Sequence, residues 1–432
     1  MGKFFLIILF LILLINMCWA LEVKTYSTRD KLINLTLDTL QTKRREKAFK
    51  DAFMEAIIKL EEEEEESLTE IRKGEFFKKV LENLQYFVSH SLEYNDNIYS
   101  FKDKTSDTIN SIEPRVKLKL SDIRIDMDFD LGIIANLYTH NSQYNNQEMD
   151  FNFKINRKAN KYNLFFENSL LKEYVAPGEW GVNQQAFPTY WRETLRMGIQ
   201  RRFNRLNFGF NYSFSIYDFE SQYSYDRDRT EHYFRPSFHF RIAPKTYFFT
   251  DLGYNIVRHR YNSLRDYNSK NFNFGLDGLL THKLRGTVWM GYRYEDHKIA
   301  SDYKSVTTSG GLNYTLSKLT QLNLGFERQT YESSDVAQYY QIVNSFRFGL
   351  LHRFSFNPRV SFRFNTEFSY IDYPKMQEVS REDEIWSFGL GLGYRMRKWF
   401  EFGLDYKYKS RTSNVEYDYN NNIFTFTTTA SF

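Results

Sequence analysis

The chain has 432 residues, enough for about two or three ordinary domains or for one large barrel. Lysine and arginine exceed aspartate and glutamate only slightly (58 against 54), which argues against a nucleic-acid partner. Aromatic residues make up 18% of the chain, and the mean hydropathy is −0.58. After residue 20, no apolar run reaches the roughly 20 residues that a membrane-spanning helix requires. These values exclude a helical membrane protein but allow a barrel with one lipid-facing and one polar side.

Residues 1–20 have the pattern of a secretion signal. Lys3 supplies the positive charge, residues 4–15 are all Phe, Leu or Ile, and Ala20 provides a small residue at the expected cleavage point. The run is too short for a membrane anchor. We therefore expect a cleaved N-terminal signal peptide. Cleavage would remove Cys18, the only cysteine, and leave a mature chain without disulfides or cysteine-bound metal.

Residues 21–84 have a helical pattern. One narrow apolar stripe is formed by residues three or four positions apart, namely Phe49, Phe53, Ile57 and Leu60. A run of six glutamates, Glu61 to Glu66, follows it and is best interpreted as a solvated helix face or linker, with cation binding as the alternative. Such a segment buries little surface by itself. We expect a short periplasmic helical segment that docks on a partner or, alternatively, plugs a lumen.

From residue 85 to the end the apolar period changes to two. Between Leu206 and Ile216, for example, every even-numbered residue is apolar or aromatic and every odd-numbered residue is Asn, Gly or Ser. About eighteen such segments follow one another, joined alternately by short turns and longer polar loops. This organisation predicts an all-β fold over residues 85–432, a transmembrane antiparallel up-and-down β-barrel of about 18 strands. A propeller would show a blade repeat, and a soluble sandwich would have a more aliphatic core.

The C-terminal segment supports this prediction. Thr425 to Phe432 is an alternating strand that ends in Phe432. It resembles the sorting signal that the barrel assembly machinery reads at the end of outer-membrane barrels. The resemblance implies insertion into the outer membrane of a Gram-negative bacterium, with outer-membrane lipid around the barrel.

A local motif carries a second resemblance. The sequence Tyr94-Asn95-Asp96-Asn97-Ile98-Tyr99 precedes a strand introduced by Pro114. It resembles the opening of outer-membrane β-barrel porin families that are often encoded beside exopolysaccharide assembly genes; the predicted architecture is also similar to that of eighteen-stranded alginate-type exporters. The resemblance implies a conduit for exopolysaccharide or another large polar solute, with periplasmic polysaccharide export components as partners.

Two other functions remain open at this stage. A general diffusion porin for small polar solutes would need a long loop folded into the lumen, and residues 176–189 are the one candidate. A structural or adhesive surface barrel would need much longer outer loops. An enzyme is not expected, because the eight histidines are scattered and the closest hydroxyl neighbours lack a catalytic arrangement. No motif for a metal, a nucleotide or another cofactor is present.

Alternation also predicts which charged side chains line the pore. The cationic candidates are Arg115, Lys117, Lys119, Arg192, Arg196, Arg202, Arg235, Arg241, Arg359 and Arg363, and the principal anionic candidates are Asp126, Asp128 and Asp130. Opposite charges on neighbouring strands would stabilise the wall. Charge rings would instead select an anionic solute. We favour the first interpretation, because alternation does not show which charges lie at the same height along the pore, as a ring requires.

Overall fold

The computed structural model describes residues 79–159, 161–174, 189–220, 227–298, 302–332, 340–373, 380–415 and 417–432. The signal peptide and most of the helical segment, including Phe49, Phe53, Ile57 and Leu60, lie outside these residues, and their assignments stay predictions. Residues 79–83 form a short helix that leads directly into the first strand. No helix in the described ranges is long and apolar enough to cross a membrane.

Eighteen strands make up the rest of the described chain. They are β1 Leu84–Asn95, β2 Asp107–Ser121, β3 Ile125–Tyr138, β4 Asn146–Lys158, β5 Tyr162–Tyr174, β6 Thr189–Phe203, β7 Leu206–Phe219, β8 Arg229–Ala243, β9 Thr246–His259, β10 Tyr267–Leu279, β11 Leu284–His297, β12 Tyr303–Thr315, β13 Thr320–Glu332, β14 Tyr340–Arg353, β15 Val360–Tyr373, β16 Arg381–Arg397, β17 Phe400–Ser413 and β18 Tyr419–Ser431. Among the described connections, Ser142–Tyr144 and Ser263–Arg265 form short 3-10 helices.

Each strand pairs antiparallel with its neighbours in sequence, and β1 also pairs with β18, which closes the sheet. The prediction of an 18-stranded up-and-down barrel is therefore confirmed. Short connections, such as residues 204–205 and 398–399, join strands at one end, which we call the turn end. Longer connections, such as residues 96–106, lie at the other end, which we call the loop end.

The two faces of a strand differ as the alternation predicts. In β7, Phe208 and Phe210 expose 50% and 38% of their surface, whereas Ser215 on the opposite face exposes 8%. A closed sheet directs alternate side chains outward and inward. Large apolar side chains therefore cover the outside, and smaller polar side chains face the lumen.

The seam between β1 and β18 explains the local sequence motif at residues 94–99. Asn97 is fully buried, and its side-chain amide donates to the backbone oxygen of Asn420 at 2.9 Å. Asp96 accepts hydrogen bonds from the backbone and side chain of Asn422, at 2.7 and 2.8 Å. Because these bonds connect the first loop to the last strand, the motif holds the loop end of the barrel closed.

The C-terminal residue closes the same seam at the turn end. The backbone N–H of Phe432 donates to the oxygen of Tyr86 at 2.8 Å, and Tyr86 N–H donates back at 3.0 Å. The Phe432 ring stacks near Trp399, with a centroid separation of 6.1 Å. The predicted sorting role of Phe432 is separate from this contact and stays a prediction.

Candidate functional site: the lumen and its two ends

Most of the predicted pore-lining charges form ion pairs between strands. On β2 to β4 the pairs are Arg115 with Asp130 and Asp150 (2.8 and 3.1 Å), Lys117 with Asp130 (3.1 Å), Lys119 with Asp128 (3.7 Å) and Lys158 with Asp126. Elsewhere they are Arg196 with Glu167 (3.6 Å), Arg235 with Asp251 (2.7 Å) and Arg363 with Asp405 (2.9 Å). Arg192 lies directly opposite Tyr217 on the neighbouring strand. This geometry matches ladders of opposite charge along the wall.

Three of the predicted pore-lining arginines form no ion pair among the described residues. Arg202, Arg241 and Arg359 have no carboxylate within 4.0 Å in the part of the chain that the structure describes. All three lie near turns at the same end of the barrel. Their charges are therefore available to ions or solutes at the turn end.

At the loop end, the upper part of β13 separates from β12, whereas β14 stays paired with β15 up to Ile342 with Asp372. Pairing between β12 and β13 stops at Thr308 with Arg328, although β12 begins at Tyr303 and β13 continues to Glu332. The pairing between β13 and β14 nevertheless continues to Glu332 with Tyr340. The sheet therefore opens between β12 and β13. The paired ends of β13 and β14, which we call the β13–β14 hairpin end, stay attached to the wall through β15.

The hairpin end reaches residues far along the wall. Glu332 lies 3.0 Å from His259 Nε2 on β9, 3.2 Å from Arg229 Nε on β8, and 3.5 Å from Arg265 Nη2. Five strand spacings separate β8 from β13, which is about 24 Å along the wall. Two side chains cannot bridge that distance from within the wall. The hairpin end must therefore fold inward across the loop end of the lumen.

The buried face of the hairpin end supports the same conclusion. On the lower part of these strands, Leu324 and Phe346 are exposed on the outer face. Higher up on the same face, Thr330 and Ile342 expose only 3% and 7% of their surface. Tyr340, also on this face, packs against the inward-facing Tyr303, with ring centroids 4.5 Å apart. The outer face of the hairpin end thus covers the inner face of the neighbouring wall.

Charges beneath the hairpin end are buried or half-buried, and they are paired. We define the loop-end cluster as Arg229, Glu231, His259, Arg265, Arg293, Glu295, His297 and Glu332. Arg229 also pairs with Glu231 at 2.7 Å, and Glu295 lies 2.6 Å from Arg293 Nε and 3.1 Å from His297 Nε2. Buried charges require such partners because desolvation is otherwise costly. In the described ranges no group of His, Cys, Asp and Glu has the arrangement of a metal site.

Three glycines, Gly311 on β12, Gly325 on β13 and Gly389 on β16, leave open space on the inward face of the wall from β12 to β17. A Cβ added at Gly311 would meet nothing within 4 Å, and one at Gly325 or Gly389 would meet only ordinary contacts beyond 3.4 Å. A cleft of about 750 Å³ lies along this wall. Glycine inside a strand often marks a place where a ligand or another backbone comes close. We call this cleft the glycine trough.

A model of the family described as "Putative beta-barrel porin 2" matches residues 85–432. The chain belongs to this family. It is therefore an outer-membrane β-barrel porin and not an enzyme, as the sequence predicted. The family match does not extend to exopolysaccharide export.

No curated protein matches the chain in sequence. Among solved structures, similar folds include Pseudomonas aeruginosa OpdK with vanillate (10% identity, TM-score 0.47) and Acinetobacter baumannii OccAB3 (13% identity, TM-score 0.45). Pseudomonas aeruginosa OccK2 (OpdF) in complex with glucuronate is a third (10% identity, TM-score 0.48). Each alignment covers 81% of this chain and 99%, 100% and 99% of the other chain, respectively. At this identity the likeness concerns the fold alone.

Sequence reasoning did not identify the hairpin end or the glycine trough. Residues 176–188, most of the loop considered as a constriction, lie outside the described residues, whereas the inward fold that the structure describes is formed by β13 and β14. Glu332 occupies an even position on β13, like the outward Leu324, so alternation alone assigns it to the outer face. The sequence did offer one signal: Glu332 is a charged residue at a position that alternation assigns to the outer face, close to the end of its strand.

Proposed function

We propose that this porin lets small polar solutes diffuse across the outer membrane. The observation that carries the proposal is the β13–β14 hairpin end, which folds across the loop end of a lumen with a polar wall. Glu332 anchors it to Arg229 and His259, so a solute has to pass beside it. A narrowed lumen suits small solutes better than a continuous polymer.

Exopolysaccharide export, the first expectation from the sequence, has less support. A polymer in transit occupies the whole length of a pore at once and needs a clear cross-section throughout. The family description names a porin without naming a polymer. A structural or adhesive barrel is also less favoured, since the fully described connections at the loop end have at most 11 residues, as in residues 96–106.

Liposome swelling tests the proposal. Purified protein in liposomes should admit monosaccharides rapidly, disaccharides more slowly, and oligosaccharides hardly at all, because the hairpin end restricts the cross-section. Liposomes without protein, and liposomes with heat-unfolded protein, provide the controls. Equal rates for monosaccharides and long oligosaccharides would contradict a small-solute porin and favour a polymer conduit.

Residues 21–84 are proposed to form a periplasmic docking segment, with a plug as the alternative. The support is the sequence pattern: one apolar stripe too narrow for an independent domain, followed by six glutamates that would need cationic partners inside a pore. Deleting residues 21–84 while keeping the signal should leave single-channel conductance nearly unchanged. A large jump in conductance would instead indicate a plug.

Phe432 is proposed as the element that the barrel assembly machinery recognises. Its support is the alternating C-terminal strand β18, which Phe432 follows directly and whose seam Phe432 extends by backbone hydrogen bonds to Tyr86. Deleting Phe432 should leave export intact and reduce assembly into the outer membrane. A Tyr86→Ala variant keeps the backbone bonds and controls for seam stability. Normal surface levels after the deletion would contradict the proposed role.

A further inference from the structure

A second cavity, of about 350 Å³, lies at the turn end and adjoins the glycine trough through Asp405. Four arginines line this cavity together with three hydroxyl side chains and two carboxylates. They are Arg353, Arg359, Arg363, Arg395, Ser361, Thr427, Thr429, Glu401 and Asp405. We call it the arginine pocket. We propose that the arginine pocket binds the anionic group of a small hydroxylated solute as it crosses the lumen, which deepens the proposed porin function and rests on it.

The charge balance of the pocket favours an anion. Arg363 pairs with Asp405 at 2.9 Å, and Arg395 pairs with Glu401. Arg353 and Arg359 are exposed, and neither has a carboxylate partner among the described residues. Four guanidinium groups against two carboxylates leave an excess of two positive charges. The two unpaired guanidinium groups can therefore accept an oxyanion without breaking an existing ion pair.

Guanidinium is also the chemical group that best fits an oxyanion. Its planar fork donates two parallel hydrogen bonds to a carboxylate or phosphate, and such charge-assisted bonds are stronger than neutral ones. Thr427, Thr429 and Ser361 add hydroxyl groups on the same lining. Gly403, at which a Cβ would meet its first neighbour at 3.5 Å, keeps the floor of the pocket low.

The adjoining trough suits the uncharged part of the same solute. Its polar lining includes the amides of Asn313, Asn323 and Asn365, which both donate and accept hydrogen bonds. Its Arg347 is already paired with Glu327 at 2.9 Å. Amide groups beside an open glycine floor match hydroxyl groups of a solute. The two cavities together therefore favour a hydroxylated anion over a simple inorganic one.

Gluconate, a hydroxylated carboxylate, is the probe, and sorbitol is its uncharged counterpart. In planar bilayers with KCl, gluconate added on the turn side should reduce the single-channel chloride current in a saturable way, and sorbitol at equal concentration should not. The double variant Arg353→Gln with Arg359→Gln should raise the half-blocking gluconate concentration by roughly tenfold or more, the loss expected when charge-assisted hydrogen bonds are removed.

The matched control removes the same charge at the same end but outside the pocket. Lys245→Gln with Lys318→Gln changes two exposed lysines in turns and should leave the half-blocking concentration unchanged. Equal weakening in both double variants would overturn the proposal, because general positive potential would then explain the block. Equal block by sorbitol, or no block by gluconate, would also overturn it.

Two further measurements separate this inference from the porin function. Heat-modifiable mobility on gels and KCl conductance show that each variant is folded and open. Swelling with uncharged monosaccharides tests diffusion of small solutes independently of the arginines. A wild-type barrel that admits monosaccharides but is not blocked by gluconate keeps the proposed function and loses only the pocket.

Discussion

The two ends of the lumen use the same residue type in opposite ways. At the loop end, Arg229 and Arg265 are buried beneath the β13–β14 hairpin end and share the carboxylate of Glu332. At the turn end, Arg353 and Arg359 are exposed and have no carboxylate partner in the described residues. A buried arginine with a partner fixes a structure, because separating the pair leaves a desolvated charge. An exposed arginine without a partner is free to attract a solute.

The first prediction tests whether the paired arginines at the loop end hold the hairpin end, and it has the largest expected effect. Glu332→Gln keeps the shape of the side chain but removes the negative charge that Arg229, His259 and Arg265 share, while Arg229 retains its pair with Glu231. Losing one partner of a buried pair costs about 3–5 kcal/mol. We expect the hairpin end to detach, and single-channel recordings should show higher or strongly fluctuating conductance.

Glu327→Gln on the same strand is the control for that variant. Glu327 pairs with Arg347 at 2.9 Å, but the Arg347 side chain is half exposed, so its charge stays solvated when the pair is lost. Pairs of this kind contribute about 0–1 kcal/mol. Conductance of Glu327→Gln should remain steady. Unchanged conductance in Glu332→Gln would show that the hairpin end is not held by its ion pairs.

The second prediction tests the division between outer and inner faces on which the comparison depends. Phe210→Arg places a charge on the lipid side of β7 and should cost about 2–4 kcal/mol near the midplane. Asn211→Arg places it on the opposite face, where water solvates it, and should be nearly neutral. The fraction of folded barrel on gels measures both. Equal losses at the two positions would show that the register is wrong.

Alternation in the sequence was sufficient to predict the strand number and the two faces, because a barrel wall repeats one local rule. It was not sufficient for contacts between distant strands. Glu332 and His259 meet only because the hairpin end separates from β12 and folds inward. The alternation of apolar and polar residues does not predict this bend. The residues 94–99 motif was interpreted as a family mark, whereas its Asn97 also holds the seam closed. Gly311 stands in an ordinary alternating strand, and the open space beside it is a property of the closed barrel.

The third prediction concerns the path that joins the two ends. Gly311→Trp places a large ring into the open space of the glycine trough, so the barrel should fold normally and conduct less current. Gly286→Ala is the contrasting variant, since its Cβ would lie 2.0 Å from the backbone oxygen of Gly311. It should destabilise the barrel although it adds only one carbon. Full conductance in Gly311→Trp would place the solute path along another wall.

The last prediction has the smallest expected effect and concerns the loop beside the loop-end cluster. Burial alone would raise the pKa of Asp266, but Lys298 Nζ and the backbone N–H of His259, each at 2.7 Å, outweigh it and hold the pKa below its usual value of 3.8. A lowered folded-state pKa stabilises the fold above pH 3.8, and this contribution is lost as the pH falls further. Asp266→Asn should therefore lower the unfolding temperature more at pH 5 than at pH 2, as measured by heat-modifiable mobility.

Asp302→Asn, which alters an exposed carboxylate bonded to Tyr294, is the control and should change the unfolding temperature little at pH 5. An equal deficit of Asp266→Asn at both pH values would contradict a role for the ionised carboxylate and indicate that the substitution acts through packing.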